Sequence, residues 1–245
     1  MSVLRDIKVQ TDFYAGAGFS VESANVAPTV ESLARGRLAQ VVETAFLVAE
    51  LRVPAPPLDV RKLDPVLRLH RAFVAAVARL ARAYSGHIQH IGDDRVIVAF
   101  EPTPGDIKLV ANNAATVALH LVYAFNTVLR PTFKHLGSFD IAVGVERGEV
   151  LAIKGSVRGD PHSTTVVWFG HAPRVATRLA EEGGSPYNVY VSESIYVCLN
   201  KELRYTNYTG FDGRSQDLSM WESTSLVYQQ TRRPAMKTRY QVKLR

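Results

Sequence analysis

The stretch Val166-Val167-Trp168-Phe169-Gly170-His171-Ala172-Pro173-Arg174-Val175-Ala176-Thr177-Arg178-Leu179 constrains this chain more than any other, because it reads as a buried strand that turns at a glycine into a helix. With the helix beginning just past Gly170, Arg174 and Arg178 stand four residues apart and stack on one face. Ala172, Val175, Ala176 and Leu179 fall on the other side and fix the helix against a core. Two cations are thereby turned outward beside a strand end, toward solvent or toward an anion such as a phosphate. Taken alone, such a pair more often faces solvent than a ligand, so the other segments have to decide.

Upstream, strand and helix patterns follow one another. Residues 1–40, with Gly16, Gly18 and Pro28 among scattered polar groups, read as a loosely ordered lead-in with no assigned chemistry. Thr44 to Leu51 is a compact apolar run ending on Glu50 and predicts a buried central strand. Val53 to Leu58 holds three prolines and predicts a loop. Asp64-Pro65 reads as a cap with proline at the first helical position; Val66, Leu69, Phe73, Val77, Leu80 and Tyr84 then recur at helical spacing until Ser85-Gly86. His87–Ile91 and Arg95–Phe100 flank a Gly92-Asp93-Asp94 turn and predict a hairpin.

A second long helix is expected from about Asp106 to Arg130, buried through Leu109, Val110, Val117, Leu121, Phe125 and Leu129 and ended by Pro131. Phe139–Val145 and Glu149–Ile153 are expected as two strands about a Glu146-Arg147-Gly148 turn, with further strands at Ser163–Phe169 and Asn188–Val191. The arginine helix closes at Gly183-Gly184, and the tail ends on a strand-like Tyr240–Leu244. This order predicts an α+β fold: a mostly antiparallel sheet with helices packed on one face.

Composition narrows the function classes. A length of 245 residues with 47% hydrophobic and 21% charged residues suits one large folded domain. The single cysteine, Cys198, excludes an internal disulfide and argues against a thiolate metal site. Met1 to Gln10 lacks the apolar core of a secretory signal, and the apolar run from Ala114 to Leu129 is broken by His120 and Asn126; a cytoplasmic protein without a membrane partner is expected. The net charge of +6 favours anionic partners without separating nucleotides from nucleic acid. Phe46 and Phe100 lie in runs that read as buried, so the exposed stacking aromatics of an RNA-binding sheet are missing.

Three carboxylates complete the constellation: Glu50 at a strand end, Asp93 and Asp94 at a hairpin tip. Gathered without compensating lysines, they would bind a hard divalent ion such as magnesium or manganese. A Gly-Asp-Asp tip is also ordinary turn chemistry. Glu50 is harder to explain so simply, since a carboxylate closing a buried strand costs several kcal/mol, roughly, unless paired or metal-bound.

Ala45 to Glu50, Gly86 through Phe100, Val143-Gly144-Val145-Glu146-Arg147-Gly148-Glu149-Val150 and Gly170 through Leu179 together resemble, in order and spacing, the class III nucleotidyl cyclase catalytic domain. The resemblance implies a ferredoxin-like nucleotide cyclase fold over residues 41–245, working as a head-to-tail homodimer with sites shared across the interface. It places Glu50 at the family's first metal aspartate with the Leu51 carbonyl beside it, the second metal aspartate at Asp94 or at Asp93, and the transition-state arginine at Arg178. Two divalent ions per site, magnesium or manganese, and a nucleoside triphosphate substrate follow from it. Lys237 is compared with the family's phosphate-binding lysine, against the plainer reading of a solvated basic tail.

The departures are informative. Glu50 stands for aspartate, and Val53-Pro54-Ala55-Pro56-Pro57 replaces the Phe-Thr whose amides cradle phosphates in the family. The purine-reading lysine maps to His90, or to Gln89 in the alternative register, its partner to Val167, and the ribose-orienting asparagine to Arg174. A pocket that lacks adenine readers yet keeps metal ligands and Arg178 resembles the Pycsar pyrimidine cyclases. That resemblance implies synthesis of cyclic UMP or cyclic CMP, with UTP favoured, as a second messenger in antiphage defence read by a separate effector. An adenylate cyclase and a catalytically inactive nucleotide-binding or dimerisation module are the alternatives.

Overall fold

In the computed structural model, which describes residues 3–16, 18–33, 37–53, 63–157, 160–209 and 215–244, the apolar run at Thr44–Leu51 lies within a longer strand, Leu38–Arg52. Side chains of a strand alternate between faces. Here Ala45, Leu47, Ala49 and Leu51 enter one core, while Val42, Phe46 and Val48 enter another on the opposite face. A strand buried on both sides has no polar alternation to show, which is why it reads as a continuous apolar run.

Chain order is α1 (Val3–Ala15), β1 (Ser20–Ser23), β2 (Leu38–Arg52), α2 (Asp64–Ala83), β3 (Gly86–Ile91), β4 (Arg95–Phe100), α3 (Ile107–Ala124), α4 (Arg130–Thr132), β5 (Asp140–Val157), β6 (Asp160–Phe169), α5 (Ala172–Glu182), β7 (Val189–Ser192), α6 (Glu193–Tyr196), α7 (Lys201–Arg204), β8 (Tyr205–Thr209), β9 (Ser215–Ser219), β10 (Glu222–Tyr228) and β11 (Thr231–Thr238). The main sheet runs β10-β11-β7-β5-β2-β4-β3, with β1 added to β2 and β6 to β5, while β8 and β9 form a separate ribbon. Pairing is antiparallel except for β5 with β7 and β1 with β2. This is the expected α+β architecture with a mostly antiparallel sheet, but helices pack on both faces where one was expected, because the central strand β2 presents apolar side chains on each side. The helices α2 and α3 share one core through Leu69, Phe73, Val77, Val110, Val117 and Leu121, and α5 covers the other face through Ala172, Ala176 and Ala180.

Several expectations change. Glu146-Arg147-Gly148 is no turn: β5 continues through it, with Phe46, Ala45 and Thr44 of β2 opposite. Its polar residues find tertiary partners, which local sequence cannot display. Glu146 Oε1 accepts from Ser192 Oγ and Ser194 Oγ, both at 2.6 Å, and the Arg147 guanidinium reaches Glu43 Oε1 at 2.9 Å. A buried carboxylate so satisfied can lie in a central strand.

Pro131 does not end its helix. The path widens into a π-type turn at Phe125–Leu129 and carries on into α4, where the proline sits in the first turn and its missing N–H matters little. Leu109, expected in the buried stripe, is exposed. Asp64 is the first helical residue, not the cap, and pairs with Arg68 at 2.7 Å. The lead-in contains a formed helix, α1, none of whose residues is buried. Residues 240–244 are not a strand; the β10–β11 hairpin carries the edge instead. Arg232-Arg233-Pro234 hides that hairpin in the sequence, yet β11 meets β7 only from Ala235 onward, so Pro234 withholds no hydrogen bond on that side.

One titratable group is held in the core. His120 of α3 is 6% exposed, with Nδ1 3.2 Å from the Tyr84 hydroxyl, and burial lowers its pKa from the ordinary 6.5. The folded state therefore prefers the neutral ring. Its contribution to stability is complete above the unfolded pKa and is lost as pH falls toward the lower folded value. The urea midpoint should drop between pH 7.5 and 5.5, and His120→Gln should drop less over the same interval; an equal drop in both proteins would remove His120 from the account.

Candidate functional site

The end of β2 and the tip of the β3–β4 hairpin are joined by backbone: Leu51 N–H donates to the Asp94 carbonyl at 2.7 Å, and Glu50 lies opposite Arg95. His70 of α2 pins the same tip through Nε2, 2.9 Å from the Gly92 carbonyl. These contacts bring Glu50, Leu51, Asp93 and Asp94 to the wall of one cavity of about 740 Å³, together with His70, Glu181 and the apolar Val66 and Leu67. The four sequence candidates for metal binding thus meet in one place.

Arginines supply the compensation there that lysines do not. Arg52 Nε approaches Glu50 Oε1 at 3.6 Å, and Arg95 grips both oxygens of Asp94 at 3.0 and 3.3 Å. The Arg95 hydrogen bond holds the Asp94 carboxyl below its usual range, so it stays ionised. Asp93 makes no ion pair among the described residues. Hard oxygen donors at one wall have the chemistry that magnesium or manganese requires. Among the described residues, however, no three metal-binding side chains already stand in coordinating array. An ion binding there would compete with Arg52 and Arg95.

A second cavity of about 370 Å³ lies on the face that carries α5, lined by Gln89, His90, Val167 and Arg174 with Phe46, Trp168 and Thr177. A β-bulge explains why both register alternatives are present. Ile88 pairs with Val98 and His90 with Ile97, so Gln89 is the extra residue of β3. The bulge turns two successive side chains toward one face, where regular alternation would separate them. Arg178 lines neither of these two cavities. It lies exposed on α5, paired with Glu181 and, at 4.0 Å, with Glu182 of its own helix. Lys237 sits within β11, its Nζ 4.0 Å from the Tyr187 ring centroid. The proline segment 54–60 falls outside the described residues.

The position of α5 decides how these groups are disposed. Its start depends on Gly170, whose φ of 151° suits glycine and whose missing Cβ would meet Val150. Its middle lies flush on β5: a Cβ on Gly144 would stand 2.0 Å from the Ala176 carbonyl oxygen and 2.4 Å from the Ala180 nitrogen. Its end is held by Arg52, which donates to the carbonyls of Ala180 at 3.0 Å, Glu181 at 2.9 Å and Gly183. A cation on the last carbonyls of a helix is favoured by the helix dipole. Arg52, Arg95, His70 and Glu181 were not singled out in the sequence. Arginines directly beside Glu50-Leu51 and Asp94 were the one available signal.

The family of adenylate and guanylate cyclase catalytic domains matches residues 64–218, well over half of the chain. This chain belongs to that family. The matched span takes in Gln89, His90, Asp93, Asp94, Val167, Arg174 and Arg178 and begins after Glu50 and Leu51. A uridylate cyclase from Rhodovulum sp. (strain MB263) is 26% identical over 213 residues, covering 82% of this chain and 84% of that protein. Two solved cyclases show the same fold at low identity. The guanylyl cyclase Cya2 aligns with a TM-score of 0.61 and 13% identity over 81% of this chain and 91% of its own. The adenylyl cyclase CyaB from P. aeruginosa aligns at 0.61 and 14%, over 84% and 97%. The protein is a class III nucleotidyl cyclase, a phosphorus–oxygen lyase.

Because α5 rests on bare backbone, Gly144→Ala should cost about 3 kcal/mol or more by overpacking, read as a lowered urea midpoint. A variant as stable as the parent would mean that α5 can lift away without penalty.

Proposed function

We propose that this cyclase converts a pyrimidine nucleoside triphosphate, UTP in preference to CTP, to the 3′,5′-cyclic monophosphate and pyrophosphate. The observation that carries the reading is the division of the candidate residues within one chain. Glu50, Leu51, Asp93 and Asp94 line one cavity, Gln89, His90, Val167 and Arg174 line another, and Arg178 stands outside both. A head-to-tail homodimer would unite the first group of one protomer with the second group and Arg178 of its partner. Residues 41–245 form the catalytic unit in this reading, and residues 1–40 the lead-in.

Two magnesium or manganese ions, held by Glu50 and by Asp94 or Asp93 with the Leu51 carbonyl, would supply charge neutralisation on the triphosphate and activation of the ribose 3′-hydroxyl. The side chains do the rest. Arg178 exchanges its Glu181 partner for the α-phosphate oxygens, on which charge grows in the transition state. Arg174 grips the triphosphate from the same helix. Gln89 and His90 meet the polar edge of the base, and Val167 offers it an apolar wall that cannot hydrogen-bond adenine. The similarity to a relative named uridylate cyclase supports a pyrimidine. The resemblance to the Pycsar cyclases extends the reading to a cytoplasmic antiphage signal sensed by a separate effector protein.

The ion pairs of Glu50 with Arg52 and of Asp94 with Arg95 favour one rival, a cyclase-like nucleotide-binding or dimerisation module without turnover. Incubating the protein with each of the four nucleoside triphosphates and manganese separates the two: cyclic UMP and pyrophosphate are expected, and no cyclic product from any nucleotide would establish the rival. Cyclic AMP as the main product would return the adenylate cyclase reading.

Arg178→Ala should lower kcat by about 10²–10³-fold, as loss of a transition-state donor does, with the dimer intact by sedimentation. Glu50→Ala and Asp94→Ala should each abolish turnover. Mixed Glu50→Ala and Arg178→Ala chains should regain about a quarter of the parent rate, since half of the dimers are mixed and each carries one intact site. A mixture as inactive as its components would place the whole site within one chain.

A further inference from the structure

The cavity on the α5 face contains a hydrogen bond whose direction is dictated by chemistry. The Trp168 indole Nε1–H can only donate, and it lies 3.1 Å from Gln89 Oε1. On the other side of the amide, Gln89 Nε2 donates to the His87 carbonyl, which can only accept, at 3.3 Å. Flipping the amide would set donor against donor and acceptor against acceptor. Both neighbours therefore impose the same orientation on a group that is otherwise free to turn.

Trp168 is itself well held. Its ring packs edge-on against Phe46, centroids 5.4 Å apart at 78°, and its backbone is paired with Ala152 in the β5–β6 ladder. Gln89 is the bulge residue of β3, and the two side chains line the same cavity. One amide hydrogen of Gln89 serves His87 and the other remains for a ligand. His90, which can take either tautomer, brings no fixed polarity of its own.

We propose that Trp168 is a positioning residue that locks Gln89 as a hydrogen-bond donor, and that this polarity selects uracil, with its 4-carbonyl oxygen, over cytosine, with its 4-amino group. The inference rests on the reading that this cavity receives the base. A locked donor meets the uracil oxygen favourably and meets the cytosine amino group donor to donor. Discrimination is thus assigned to an indole that need not touch the base.

The test compares kcat/KM for UTP and CTP in the parent, Trp168→Phe and Gln89→Glu. Trp168→Phe keeps an aromatic ring against Phe46 and removes the indole donor, leaving only the 3.3 Å contact with the His87 carbonyl to orient the amide. The UTP preference should fall by about tenfold, with the change in KM rather than kcat and the melting temperature retained. Gln89→Glu leaves Trp168 in place and presents an acceptor, so the preference should move toward CTP. An unchanged UTP-to-CTP ratio in an active Trp168→Phe enzyme overturns the inference while leaving the pyrimidine reading standing. Should Trp168→Phe fail to fold, the Gln89→Glu ratio decides alone, an unmoved ratio counting against the proposal. A parent enzyme that turns over neither pyrimidine overturns both the reading and the inference, and a parent that prefers CTP overturns the inference.

Discussion

The seating of α5 on the bare backbone of β5 is the contact on which the rest of this molecule depends. At Gly144 the helix comes so close that no Cβ fits between the strand and the backbone of Ala176 and Ala180. Close approach places Ala172, Ala176 and Ala180 against Val42, Phe46 and Val48, so small helix residues meet large strand residues in the core of this face. It also sets the far end of α5 within reach of Arg52, which bonds three terminal carbonyls and approaches Glu50. One steric relation thereby positions Arg174 at one cavity and Glu181 at the other.

The same sheet serves both cavities through different devices. At the end of β2, the Leu51–Asp94 backbone bond gathers carboxylates from two chain segments at a cavity wall. Glu50 and Asp94 are paired with the nearby Arg52 and Arg95, while Asp93 makes no ion pair among the described residues, so the wall is partly neutralised and still has oxygen donors to offer an ion. On the α5 face, the bulge at Gln89 breaks alternation so that two neighbours look the same way. Regular strands cannot do this, and bulges recur beside active sites because they re-aim side chains.

Much of this was legible beforehand where the signal is local. The Gly92-Asp93-Asp94 hairpin, the α2 stripe of Leu69, Phe73, Val77 and Leu80, and the buried face of α5 follow from turn chemistry and from the 3.6-residue period. The failures share one cause. Glu146-Arg147-Gly148 looks like a turn because the side-chain partners that let it lie in a central strand, Ser192, Ser194 and Glu43, arrive from elsewhere in the fold. Pro131 looks like a stop because the compensating π-type turn leaves no mark in the sequence. The β10–β11 hairpin leaves little mark in the sequence because Arg232, Arg233 and Pro234 lie in the part of β11 that precedes its pairing with β7, where a missing N–H on that side costs nothing.

The sequence by itself determined the identities at issue: which carboxylates close strands and turns, and which arginines share a helix face. Those properties belong to single residues and to their spacing. Only the tertiary structure decided which of them meet. It put Gln89 and His90 on one wall by a bulge, divided the candidates between two cavities, and oriented the Gln89 amide through an indole from a distant strand. A hydrogen bond between residues almost eighty positions apart has no local signature, since its direction is set by which donor and which acceptor the folded sheet carries to the same point.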